Sequence, residues 1–247
     1  MTHEKHKLES EVVSKAAEIT LSSQLDAAEK IEVDVETDLS EVIHGKAEEV
    51  AIAGEGLVIQ KDIRVQEMEL HTDKIDINPL SVLFGHIKLN QPIDANGRIV
   101  LTEPDINRAL NSDYVLSKAQ KFDFDVEDQT VTMAMQQMEL KLPGGDKMVF
   151  SAKALLHEMG KTRRIGFTAV MYPRNREQPI RVEGFNCHDG QTISLEFAAA
   201  FMQKLKKLAQ LPYIEMEQMR IRVEEMKVQA GTITMQVQAH VSQLPSN

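Results

Sequence analysis

Tryptophan is absent from this sequence, aromatic residues make up 4%, and Cys187 is the single cysteine among 247 residues. One cysteine closes no internal disulfide, so a stapled secreted framework is excluded and a cytoplasmic setting is expected. No window approaches the ~20 consecutive apolar residues that cross a bilayer as a helix, and the commonest interfacial anchor is missing with Trp. Met1-Thr2-His3-Glu4-Lys5-His6-Lys7 carries charge instead of the apolar run of a signal peptide. Export is therefore not expected, and any membrane contact is expected to be peripheral. Positive charge is also scarce. The 28 Lys and Arg face 38 Asp and Glu, and the formal net charge of -10 argues against a nucleic-acid partner, which needs a basic surface to neutralise phosphates. No Pro-, Gly- or Ser-rich linker interrupts the chain, so a single domain over residues 1–247 is expected.

What is present is ordinary globular material, 42% hydrophobic and 27% charged, with 13 methionines. Leu8, Val12, Val13, Ala16 and Ile19 recur at helical spacing and predict a helix over about 8–25. Ile31, Val33 and Val35 then alternate with acids, the two-residue period of a half-buried strand, and similar alternation continues to Asn78. Leu80 to Gly85 reads as a short helix or turn. A strand from His86 to Leu101 is expected to break or bend at Asn96-Gly97, a strong hairpin-turn signal. Thr102 caps a helix beginning at Glu103-Pro104-Asp105. A meander follows, with strands over 122–126, 130–142, 147–157, 164–172 and 180–187, turning at Pro143-Gly144-Gly145-Asp146. Ser194 caps a helix over about 195–211 that Pro212 ends, and a hairpin over about 219–241 closes the chain. The fold class expected is α+β.

Several strings imitate catalytic motifs and fail on a physical requirement. After His157-Glu158 the second metal ligand of a zinc-protease helix would fall at Lys161, which completes no site. Cys187-His188-Asp189 holds nucleophile, base and acid in succession, but neighbours on a strand point to opposite faces. The glycines at 54, 56, 144 and 145 precede no helix amino terminus of the kind that binds phosphate. Asp123, Asp125, Glu127 and Asp128 lack the central glycine of a calcium loop. No catalytic residue, metal or cofactor is assigned.

Four strings occur in an ordered set: Leu25-Asp26-Ala27-Ala28-Glu29-Lys30-Ile31-Glu32-Val33-Asp34-Val35; Gly54-Glu55-Gly56-Leu57-Val58; Asn78-Pro79-Leu80 ahead of Phe84-Gly85; and Leu101-Thr102-Glu103-Pro104-Asp105-Ile106-Asn107-Arg108-Ala109-Leu110-Asn111. Together they resemble the cyanobacterial branch of the LmeA-like phospholipid-binding family, over about Leu21 to Pro245. The resemblance implies a long curved antiparallel sheet wrapped around helices, similar to half of a tubular lipid-binding module, and phospholipid binding without catalysis. It fixes no lipid-contacting residue through a motif.

Local physics supplies candidates instead. An apolar groove needs greasy side chains on helices that can part from a concave sheet. The groove candidates are Leu80, Val82, Leu83 and Phe84, then Ile106 and Leu110, and the helix stripe Phe197, Phe201, Leu205 and Leu208. Such a stripe also serves as ordinary core. Lys161, Arg163, Arg164, Arg174, Arg176 and Arg181 are the headgroup candidates, expected on one hairpin and its turn. Solvated edge-strand cations read the same way in sequence. The expected partner is a phospholipid or other apolar ligand. A protein-interaction module using the same surface is the alternative, and an enzyme built on Cys187 the third.

Overall fold

The computed structural model describes residues 2–37, 39–78, 88–119, 121–126, 129–158, 160–188, 194–211, 213–216 and 219–243. The fold is α+β, dominated by strongly curled antiparallel sheet. The chain divides into two compact units. The first comprises Met1–Leu101, Tyr213–Glu224 and Thr234–Asn247; the second comprises Thr102–Pro212 and Glu225–Ile233.

The first unit contains helices α1 (Thr2–Ser22) and α2 (Leu39–Ile43). A seven-stranded sheet is built from β1 (Lys30–Glu36), β3 (Glu49–Gln60), β4 (Ile63–Thr72), β6 (Ile93–Thr102), β12 (Tyr213–Met216), β13 (Met219–Gln229) and β14 (Thr232–Val241), in the order β1-β3-β4-β6-β14-β13-β12, with Thr102 and the parts of β13 and β14 within Glu225–Ile233 counted in the second unit. Two short strands, β2 (Lys46–Ala47) and β5 (Ile75–Asp76), pair separately. The alternation in β1 sends Val33 and Val35 inward beside Val50 of β3, and Val13, Ala17 and Leu21 of α1 cover them. Each buried valine contributes roughly 1.5–3 kcal/mol, so this face is what fastens α1. Polar contacts set its position: the Val35 N–H donates to Ser14 Oγ at 2.9 Å, and Ser10 Oγ donates to the Thr37 carbonyl at 3.0 Å. A helix thus satisfies a backbone group on the edge strand β1.

Asn96-Gly97 does not turn, contrary to the expectation from its dipeptide signal. The strand β6 runs straight through it, with Asn96 opposite His71 and Gly97 opposite Leu70. The glycine is there for space: a Cβ would meet the Leu70 side chain and the Glu69 carbonyl oxygen. Glycine inside a strand often marks such a close approach, and here tertiary packing overrides the local preference.

The second unit begins with α3 (Glu103–Leu110) and α4 (Asp113–Ala119). Thr102 Oγ1 accepts from the Asp105 N–H at 3.2 Å and donates to Asp105 Oδ2 at 2.7 Å, which starts α3 where the cap signal placed it. The meander follows as β7 (Lys121–Val126), β8 (Gln129–Gly144), β9 (Lys147–Glu158), β10 (Lys161–Tyr172) and β11 (Arg181–His188), in the order β11-β10-β9-β8-β7. Gly145 and Asp146 link β8 to β9 with φ of 63° and 51°, the left-handed pair that a tight two-residue hairpin requires. Helix α5 (Leu195–Gln210) completes the unit.

Beyond its pairing with β7, the β8 backbone meets side chains of α3. Asn107 and Asn111 exchange both hydrogen bonds with the backbones of Leu140 and Met138, and Glu103 Oε2 accepts from the Leu142 N–H at 2.6 Å. Residues four apart on a helix share a face, and alternate residues on a strand share an edge. Two side chains of α3, Glu103 and Asn107, and that of its C-cap residue Asn111 therefore act as a substitute strand.

Candidate functional site

Seven of the eight phenylalanines lie in the second unit, and six of them, Phe124, Phe150, Phe167, Phe185, Phe197 and Phe201, are linked by ring contacts. Phe201 is central, its ring centroid 5.8 Å from Phe124 on β7, 5.0 Å from Phe167 on β10 and 5.0 Å from Phe185 on β11. Strands β7 and β11 are opposite edges of the five-stranded sheet. Laid flat, four inter-strand steps of ~4.8 Å would hold those edges roughly 19 Å apart, well beyond one side chain's reach. The sheet must curl for a single ring to touch both. Bulges that shift register at Met135/Gln137 and at Val170/Met171 supply local bending. The result is a trough lined by Val131, Met133, Met135, Leu156, Ile165 and Phe167, with α5 seated in it.

The structure places the groove candidates in different settings. Phe197 and Phe201 are buried at 4% and 2% exposure in the trough, with Leu205 and Leu110 packed at its margin. Ile106 is half-buried on α3. Leu208 emerges from the stripe at 42% exposure. Leu80, Val82, Leu83 and Phe84 lie outside the described residues.

The six basic candidates do not come together as one group. Lys161, Arg163 and Arg164 begin β10, whereas Arg174, Arg176 and Arg181 follow its far end, on the order of 30 Å away along the strand. The physical reason is that β10 is a full strand between two turns, so the cations sit at both of its ends. Arg163 Nη2 is engaged with Glu158 Oε2 at 2.6 Å.

Two of the second group, Arg174 and Arg181, line a cleft of about 420 Å³ together with Tyr172, Glu225 and Lys227 among others. Arg181 stacks over the Tyr172 ring at 4.8 Å, a cation–π contact, and the Tyr172 hydroxyl donates to Glu183, which holds it protonated above the usual tyrosine range. Arg174 Nη2 donates to the carbonyls of Gln210 and Leu211 at 3.4 and 3.3 Å. Those are end carbonyls of α5, where a helix carries partial negative charge. Arg174 thus joins the cleft to the carboxyl end of the trough helix. Both acids in the lining have partners: Asp146 Oδ1 accepts from the Val228 N–H at 3.1 Å, and Glu225 Oε2 lies 3.4 Å from Arg176 Nε. Sequence reasoning found the arginines but missed Tyr172, Glu225 and Lys227, because the segment around 225–227 reaches the cleft only through tertiary pairing, as in the bond from the Met226 N–H to the Arg174 carbonyl.

Cys187 packs against the phenylalanine cluster, and burial pushes its thiol up. His188 is exposed on the same strand, its Nε2 3.2 Å from Thr168 Oγ1. Among the described residues, no three His, Cys, Asp or Glu are grouped to hold a metal ion, and no helix is long and apolar enough to cross a membrane.

The profile of the LmeA-like phospholipid-binding family matches residues 6–238, nearly the whole chain. The chain belongs to that family. The resemblance carried by the ordered strings is thereby confirmed at family level, and lipid binding is the family's property. No curated protein matches the chain. Asn107 and Asn111, within the fourth string of that resemblance, are the two amides that pair with β8, so part of the string has a structural task.

Proposed function

We propose that this member of the LmeA-like family holds one phospholipid non-catalytically, with acyl chain in the trough beneath α5 and phosphate in the cleft at Arg174 and Arg181, and passes it between membranes. The observation that carries the reading is Phe201: one helix residue fills a trough against three strands, including both edges. Burying a phenylalanine is worth up to ~3 kcal/mol and burying a methylene ~0.8 kcal/mol, so about four acyl methylenes offset one displaced ring. An acyl chain of ordinary length can therefore replace Phe197 and Phe201 with free energy to spare. The cations in the cleft offer bidentate donors to a phosphate.

Native mass spectrometry of the purified protein, together with transfer of labelled phospholipid between liposomes, tests the reading. Co-purified phospholipid and protein-dependent transfer are expected. Repeated recovery of empty protein with no transfer overturns it. The close burial of Phe197 and Phe201 favours a second reading, in which the trough is permanent core and the family surface engages a protein partner. A stoichiometric protein in pull-downs, with lipid-free chain, would select that one.

A further inference from the structure

The apolar stripe of α5 does not end where the trough ends. Leu208 and Leu211 follow Phe201 and Leu205 along the helix and stand 42% and 60% exposed. Lys204, Lys206 and Lys207 are exposed around them, and none of the three is ion-paired among the described residues. Lys204, Leu208 and the C-cap residue Leu211 are spaced at steps of four and three residues and share one face, which Lys207 flanks. We infer that this carboxyl end of α5 docks on an anionic bilayer surface, with Leu208 and Leu211 entering the interface and the three lysines meeting lipid phosphates.

Charge complementarity selects that occupant. The whole chain carries a net charge of -10 and is repelled by an anionic surface at long range. At physiological salt the Debye length is ~8 Å, so only charges near the surface count at contact. The acid on α5 itself, Glu196, lies two turns before Lys204, about 12 Å along the axis. Beside this end, Arg174 adds a further cation through its bonds to the Gln210 and Leu211 carbonyls. Apolar side chains rimmed by lysine are the makings of an interfacial helix, in which neither burial nor charge alone suffices. The inference rests on the proposed lipid cargo for its purpose: the docked end belongs to the helix that must part from the trough, and phosphates in the bilayer compete with the α5 carbonyls for Arg174.

The test is co-sedimentation of the full chain with vesicles of phosphatidylcholine alone or containing phosphatidylglycerol, for the wild type and for Leu211→Ser combined with Lys206→Glu and Lys207→Glu. These positions are exposed, and an unchanged thermal unfolding midpoint establishes that the variant folds. The wild type is expected to sediment with the phosphatidylglycerol vesicles and to be released by high salt, with binding at least tenfold weaker in the variant. Equal sedimentation of variant and wild type overturns the inference, as does wild-type protein that stays in the supernatant or forms a dimer instead. Native mass spectrometry of the same samples separates the two ideas. Lipid-loaded protein that ignores vesicles sinks the docking end and leaves the cargo reading standing; empty protein that docks does the reverse.

Discussion

The side-chain amide of Asn107 donates to the Leu140 carbonyl at 2.9 Å and accepts from the Leu140 N–H at 2.7 Å, pairing with β8 as a neighbouring strand residue would. Four residues on, Asn111 does the same with Met138, donating at 2.7 Å and accepting at 3.1 Å. Both bonds in each pair require an amide, since a carboxylate cannot donate and an alkyl group does neither. Asn107→Leu is therefore expected to leave a partly buried N–H and C=O without partners and to lower stability by about 1–3 kcal/mol. Urea unfolding measures the change. Asn107→Asp should cost a similar amount at neutral pH, and a variant as stable as wild type would show that water replaces the amide freely.

Gly97→Ala tests whether glycine is there for packing. The new methyl would press on the Leu70 side chain and on the Glu69 carbonyl oxygen, and the backbone atom cannot move aside without disturbing the β4–β6 pairing. Overpacking of this kind costs about 1–3 kcal/mol. The expected signature is a lower denaturation midpoint with an unchanged slope. Partial relief in Gly97→Ala/Leu70→Val would tie the cost to the leucine rather than to the backbone.

These two sites also separate what was legible in the sequence from what was not. Short-range signals that agree with the surrounding pattern read correctly: Ser194 Oγ accepts from the Phe197 N–H at 3.1 Å, and the stripe through Phe197 and Phe201 faces the core. Asn96-Gly97 misled because a dipeptide preference of local origin lost to a contact with Leu70, which is 27 positions earlier in the chain. The basic residues misled through geometry. Their closeness in sequence hides a 12-residue strand, Lys161–Tyr172, that carries one half away from the other. Tyr172 and Lys227 had no local signal, because the cleft exists only once distant strands meet.

Cys187 reports on the trough. Burial against the phenylalanine cluster disfavours the thiolate and raises the thiol pKa above that of a free cysteine. At neutral pH the native protein should react with a thiol reagent such as DTNB more slowly than the unfolded chain, by about tenfold or more, since the thiolate is the nucleophile. The sign of the pH linkage follows. The raised pKa contributes stability that is fully present below the unfolded thiol's pKa and is lost as pH rises through the folded value, so this small effect is confined to the alkaline range. If α5 parts from the trough as proposed, the thiol becomes exposed, and conditions that load or unload lipid should change the labelling rate. A native rate equal to the unfolded one would place Cys187 outside the protected core.

Phe201→Ala separates a trough that holds ligand from one that is only core. Removing the ring should leave a cavity bounded by Phe124, Phe167, Phe185 and Phe197 and lower the stability of lipid-free protein by about 3–5 kcal/mol. Ligand that binds only the folded chain stabilises it in proportion to the logarithm of its concentration over Kd. If acyl chain occupies the space that Phe201 otherwise fills, the variant no longer has to displace a ring and should gain more from added phospholipid than the wild type does. The measurement is the unfolding midpoint with and without lipid for both proteins. A larger lipid-induced shift in the variant supports occupancy of the trough. Equal shifts would place the ligand elsewhere, and no shift in either would make Phe201 purely a residue of the core.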